Sequence, residues 1–243
     1  MKSVRVSCLV LVTAVLSAPA FAQGVENFRT VYVSFGTGLG LSGNVIDEAT
    51  GTIAGQPAVV VEQAFTNHYS DGFRFKVGGS YGLDYNNEAF LTFGYGRLNA
   101  TERIVGSIAG YPLYARFSNA RSFDIEGGYR YYFLPEGPLR TYVAGTVGLR
   151  FMEEVNATLR VVEIGLTLSD REYYDSSTLF VFGGDAGIIR DLNERFAIGG
   201  ELGLRFQPKP GPEVLELGTG FESINDTGSR WSIPLNVFLT YRF

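Results

Sequence analysis

The amino-acid sequence predicts an all-β fold, an eight-stranded antiparallel up-and-down barrel, and three observations predict it. Apolar residues alternate with polar or small ones through eight separate stretches, the two-residue period of a strand with two unlike faces. The connections between these stretches alternate between short and long. Finally, 31 glycines, 14 tyrosines and 19 phenylalanines stand among 243 residues of which only 19% are charged, a composition that suits strands and tight turns better than helices.

The first stretch sets Val31, Val33, Phe35, Leu39 and Leu41 against Ser34, Gly36, Gly38 and Gly40. The second sets Phe73, Phe75, Val77 and Tyr81 against Arg74, Lys76, Gly78 and Ser80. The third carries Ala89, Leu91, Phe93 and Tyr95, with Phe90 out of phase. In the fourth, Phe123, Ile125, Tyr129, Tyr131 and Phe133 oppose Asp124, Glu126, Gly128 and Arg130; in the fifth, Val143, Val147, Leu149 and Phe151 oppose Thr146 and Arg150. The sixth opposes Phe180, Phe182, Ala186 and Ile188 to Asp185, and the seventh opposes Phe196, Ile198, Leu202, Leu204 and Phe206 to Glu201 and Arg205. The eighth runs from Trp231 to Phe243, with Ser232, Pro234, Asn236, Thr240 and Arg242 on its polar face. Since nothing follows it, no second domain is expected.

Short connections at residues 83–88, 134–139 and 191–194 carry turn chemistry such as Pro135, Gly137 and Pro138. Long ones fall at residues 42–68, 98–118, 153–176 and 207–229. With an even strand count this places both termini on the short-turn side. Alternation at Val162, Ile164, Leu166 and Leu168 predicts hairpins that continue past the barrel rim.

Residues 1–22 read as a signal peptide, with Lys2 and Arg5 as the basic end, an apolar stretch from Cys8 to Leu16, and cleavage after Ala20-Phe21-Ala22. The barrel domain is then 23–243. Cleavage removes Cys8, the only cysteine, and with it any disulfide, thiol catalysis or cysteine metal site. The net charge of −5 argues against a nucleic-acid partner. Outside the signal, no apolar run is long enough for a membrane-spanning helix.

A two-residue period does not say whether the apolar face looks inward or outward. Strands of about 11 residues match the 9 to 11 that cross a bilayer and exceed the 5 or 6 common in soluble proteins. Aromatics collect at both strand ends: Tyr81, Tyr131, Phe133, Phe196 and Tyr241 at one, Phe73, Tyr95, Phe151, Phe180, Phe206 and Trp231 at the other. The polar face holds the cations Arg74, Lys76, Arg130, Arg150, Arg205 and Arg242 and the anions Asp124, Glu126, Asp185 and Glu201, a set expected to pair within a closed interior. These features predict a transmembrane barrel with its apolar face outward.

An export signal together with a last strand ending in Tyr241-Arg242-Phe243 resembles the outer-membrane β-barrels of Gram-negative bacteria, most of all the small porin-family barrels of the opacity, OmpA-barrel and OmpX kind. That resemblance implies an outer-membrane location, contact with lipid and lipopolysaccharide, and recognition of Tyr241 and Phe243 by the barrel-assembly machinery. It also implies a non-enzymatic surface protein that supports envelope integrity and meets extracellular ligands through its loops.

Two motifs carry other chemistry. Gly38-Leu39-Gly40-Leu41-Ser42-Gly43 matches the dinucleotide fingerprint, but no helix pattern follows to receive a pyrophosphate, and glycines admitting neighbours across a barrel interior are the expectation. His68 and Ser70 share a face if the chain there is extended, and they resemble the His-x-Ser element of outer-membrane lipid A deacylases. That resemblance implies His68 as base and Ser70 as nucleophile, the alternative function, although the element lies early in the chain and no acidic partner is assigned.

One histidine gives little material for a zinc or copper site, so neither a cofactor nor a metal centre is expected. Three of the long connections are acidic, through Asp47, Glu48 and Glu62, then Glu153, Glu154, Glu163, Asp170, Glu172 and Asp175, then Glu213, Glu216, Glu222 and Asp226. Such a surface suits divalent cations bridging to lipopolysaccharide, a cationic partner, or simple solvation.

Overall fold

A computed structural model describes residues 25–133, 135, 137, 139–211 and 219–243. The signal segment 1–22, Leu134, Glu136 and Pro138 of the second short turn, and Glu213 and Glu216 lie outside the described residues.

The chain enters the barrel with β1 (Arg29–Gly40). Beyond it come four short strands, β2 (Asn44–Ile46), β3 (Ala49–Ile53), β4 (Gln56–Val60) and β5 (Gln63–Ala64), and one helical turn at Phe65–His68. Strands β6 (Tyr69–Gly82) and β7 (Asn87–Ala100) form the next barrel hairpin. After β8 (Arg103–Ile108) and β9 (Tyr111–Phe117), β10 (Ala120–Tyr132) and β11 (Leu139–Met152) return through the barrel. The hairpin β12 (Val155–Val161) and β13 (Leu166–Tyr174) precedes β14 (Ser177–Asp191), β15 (Phe196–Gln207) and β16 (Arg230–Arg242).

Eight of these strands close a barrel in the order β1-β16-β15-β14-β11-β10-β7-β6, every neighbouring pair antiparallel. They are the eight alternating stretches of the sequence. The charged face is the inside: Lys76, Asp124, Glu126, Arg130, Arg150, Asp185 and Arg205 are buried. The apolar face is the outside, where Val33, Phe35, Val77, Leu91, Phe93, Val147, Leu202, Leu235 and Val237 all stand exposed. A continuous apolar belt of this kind is stable against hydrocarbon and not against water, so the barrel is of the transmembrane type.

Ring contacts mark both edges of the belt. At the short-turn end Tyr131 meets Phe133 with centroids 5.4 Å apart, Phe196 meets Tyr241 at 5.2 Å, and Tyr241 meets Phe243 at 5.1 Å. At the other end Phe73 meets Tyr95 at 6.0 Å, Phe182 meets Phe206 at 4.9 Å, and Phe206 meets Trp231 at 5.1 Å. These are the two girdles expected from the spacing of the aromatics.

The long connections are not free loops. Strands β13-β12-β9-β8-β4-β3 form a six-stranded sheet beyond the rim, and β2 pairs with β5 beside it. This cap has its own core of Val45, Ile53, Val105, Ile108, Leu113, Phe117, Val161, Tyr173 and Phe221, all nearly inaccessible. The last long connection closes it: Thr52 N–H donates to Thr219 O at 3.0 Å, Asp47 N–H to Ile224 O at 2.8 Å, and Asn225 Nδ2 to Tyr173 O at 2.6 Å. The hydroxyl of Tyr173 donates to Val45 O at 2.7 Å, tying the third connection to the first. A hairpin past the rim does form at β12–β13, but Val162 and Ile164 occupy its exposed turn, and Val161 is the residue that enters the core.

Candidate functional site

Alternate residues of eight strands converge on the barrel axis, so the lumen is where the sequence concentrates its chemistry. Three tiers of charge fill it. At the short-turn end Arg140 donates to Asp191 at 2.6 Å and Arg242 to the same oxygen at 2.9 Å. Just above, Arg130 lies 3.5 Å from Glu88, and its guanidinium sits over the rings of Phe90 at 4.4 Å, Tyr32 at 5.1 Å and Tyr142 at 5.2 Å. Tyr142 Oη donates to Glu201 at 2.8 Å, and Asn236 Nδ2 donates to the other oxygen of Glu201 at 3.0 Å.

In the middle tier Lys76 donates to Glu126 at 2.7 Å, and Arg205 holds Asp185 by two parallel bonds of 2.8 Å while standing 3.5 Å from Glu126. At the rim Asp124 is shared, with Arg150 donating to it at 2.7 and 3.1 Å and Arg74 lying 3.1 Å away. Arg150 also donates to Gln207 Oε1 at 2.6 Å.

Of the ten charged residues expected in the interior, eight are buried and Arg74 and Glu201 are half-buried. Sequence reading missed Glu88, Arg140 and Asp191, and with them Arg190 and Arg230, which are also buried. The first three stand at strand ends that read as turns. Their signal was the two-residue period itself, which continues inward from Thr92 through Phe90 to Glu88. Phe90, out of phase in the sequence, points inward because Arg130 rests on its ring.

Gly183, Gly187, Gly199 and Gly203 on the inner face do not open a channel. A Cβ on Gly187 would collide with the ring of Tyr142, one on Gly199 with the ring of Phe238, one on Gly203 with the carboxylate of Asp185, and one on Gly183 with the stem of Arg205. These glycines make room for side chains that occupy the lumen.

His68 and Ser70 are not brought together. His68 ends the helical turn at Phe65–His68, is buried, and packs its ring edge-on against Phe117 with centroids 5.1 Å apart. Among the described residues neither of its ring nitrogens has a hydrogen-bond partner, whereas Ser70 is exposed on β6. A base must reach the hydroxyl it activates, so this arrangement supplies no activated nucleophile. The extended geometry assumed for the pair fails because the chain turns helically just before β6. Burial lowers the His68 pKa from its usual 6.5 to about 4, the backbone of Thr101 opposes that shift, and the nearby Arg103 adds to it.

The glycine fingerprint runs out of β1 into β2 with no helix after it, so it offers no phosphate site. Among the described residues no three acidic or imidazole side chains gather as a cation site. Several loop acids pair at the surface instead: Arg121 with Glu153 at 3.4 Å, Arg160 with Glu102 at 3.1 Å, and Lys209 with Asp226.

No protein-family model matches the chain, and no curated protein matches it either. Among solved structures, the chain is similar to a major outer membrane protein of Thermus thermophilus, at 15% identity over 88% of this chain and 99% of that one, with a TM-score of 0.48. It is also similar to Neisserial surface protein A, at 12% identity over 92% of this chain and 100% of that one, with a TM-score of 0.44. The outer membrane protease OmpT of Escherichia coli aligns at 11% identity over 91% of this chain and 98% of that one, with a TM-score of 0.39.

Proposed function

We propose that this chain is a non-enzymatic outer-membrane surface protein: a barrel that anchors in lipid and lipopolysaccharide, has a narrow or closed lumen that conducts poorly, and carries a folded, acidic cap for contacts outside the cell. The observation that carries this reading is the lumen itself, where charged side chains are paired across the axis from the short-turn end through the middle. An eight-stranded barrel is just wide enough for side chains to fill. What remains for recognition is the cap, whose rigid core holds its outer surface in one shape. Export through residues 1–22 and assembly through Tyr241 and Phe243 belong to the same reading. The exposed Phe243 is attached by its N–H to Arg29 O at 3.0 Å, so the final aromatic lies beside the first strand of the closed barrel.

Planar-bilayer recording of the purified protein tests it. Brief or no current steps are expected, and large stable conductance would overturn the closed-lumen reading. Lipid A from cells with the wild type and with Ser70→Ala is expected to show the same masses. A mass difference between the two would establish a hydrolase in place of a surface protein.

A further inference from the structure

The interior charges do not balance evenly along the axis. At the short-turn end Arg130, Arg140 and Arg242 stand with Glu88, Asp191 and Glu201, with Arg190 buried beside them, and in the middle Lys76 and Arg205 stand with Glu126 and Asp185. At the rim Arg74 and Arg150 share the carboxylate of Asp124, and the third buried cation there, Arg230, packs among aromatic rings. Arg230 is 6% exposed, makes no ion pair among the described residues, and has neither Nε nor Nη2 hydrogen-bonded. Its guanidinium is held in an aromatic setting, 4.1 Å from the centre of the Phe65 ring and 5.7 Å from that of Tyr174. A buried cation with free donors is costly unless an anion meets it.

Arg230, Arg74 and Arg150 line one cavity of about 380 Å³ between the rim and the cap. Leu39, Phe73 and Trp231 line the same cavity, although their side chains belong to the outer face of the barrel. The cavity therefore reaches the barrel wall, and the register shows where. Strand β1 pairs with β6 only as far as Gly36 and Arg74, while β1 stays paired with β16 as far as Gly40 and β6 pairs with β7 back to Tyr69 through a register shift between Ser70 and Phe73. Over the last four residues of β1, about 13 Å of strand, the seam is spanned by the Thr37 hydroxyl donating to Gly72 O at 2.9 Å. Gly38 widens the space from within, since a Cβ there would touch nothing.

We propose that this cavity binds the oxyanion head of a single-chain anionic amphiphile, carboxylate or phosphate, at Arg230, with Arg74 and Arg150 behind it. The acyl chain leaves through the open β1–β6 seam and lies along Leu39, Phe73 and Trp231 in the outer leaflet. The volume suits one head group and the start of one chain. This inference rests on the reading that the barrel sits in a bilayer.

Trp231 is the only tryptophan in the chain and lines the cavity, so it reports on the site directly. The full-length mature protein, folded into phosphatidylcholine nanodiscs, is titrated with 9,10-dibromostearic acid, its methyl ester, and a brominated lysophosphatidic acid. Saturable quenching by one or both acids is expected, with the ester quenching only in proportion to its bilayer content; comparison of the two acids identifies the head group. Arg230→Gln is expected to raise the half-saturating concentration at least tenfold. Gly38→Leu, which fills the cavity and leaves every charge in place, is expected to abolish saturation. It serves as the test if Arg230→Gln does not fold. Equal quenching by acid and ester, or saturation unchanged in these variants, overturns the inference while leaving the membrane reading intact. Failure of the protein to enter the bilayer overturns the membrane reading itself.

Discussion

Glu126 lies between Lys76 and Arg205 in the middle of the lumen and is 1% exposed. Replacing it by glutamine removes the charge and leaves two buried cations, Lys76 and Arg205, on one neutral side chain. Glu126→Gln is expected to lower barrel stability by about 3–5 kcal/mol, read from the urea midpoint of the folded protein in vesicles. His68 gives a prediction of another kind. Its pKa falls from 6.5 unfolded to about 4 folded, so between these values the unfolded chain takes up a proton that the folded chain refuses. Its neutral form is fully compatible with the cap above 6.5, and cap stability is lost as pH falls toward 4. Protection factors of cap amides, with the intrinsic exchange rate at each pH divided out, are expected to fall from pH 7 to pH 4.5, and His68→Phe is expected to weaken that dependence. Identical pH dependence in both proteins would show that other groups set it. The pattern of the sequence named the charged residues of the strand middles. It passed over Glu88, Arg140 and Asp191 because a charge beside a turn looks solvated until the strand is known to extend past it.

At the level of elements, the barrel strands were legible because each keeps one meaning per face over a dozen residues, lipid outside and paired charge inside. The cap was not. Its strands are two to nine residues long, and their apolar residues are divided between a shared core and exposed turns. Only Val162 to Leu168 alternated long enough to be noticed, and half of that run proved to be a turn. The core is also assembled from all four long connections, a proximity that no local period encodes. Phe117 joins them, packing on His68 at 5.1 Å, Tyr69 at 6.2 Å and Tyr173 at 4.8 Å. Phe117→Ala is expected to cost the cap about 3–5 kcal/mol and to expose it to protease while the barrel stays folded. Loss of the barrel together with the cap would show that the two fold as one unit.

For the whole molecule, the distribution of polarity is inverted relative to a soluble protein: charges inside, hydrocarbon side chains outside, two aromatic girdles, the larger hydrophobic core beyond the rim and a smaller apolar cluster around Tyr132, Tyr142 and Phe238 inside the short-turn end. That inversion and the closure of the hydrogen-bond ladder belong together, since a strand edge left open to lipid would carry unsatisfied backbone groups. The upper part of the β1–β6 seam is the place where the ladder is relaxed, and it coincides with the unbalanced arginines. The measurement that tests the inside-out barrel most directly is gel mobility of membrane fractions in SDS with and without boiling. A compact, faster-running species before boiling that shifts to the unfolded position after it, found only in the outer-membrane fraction, is the predicted result. Recovery in the soluble fraction with one mobility under both conditions would contradict it.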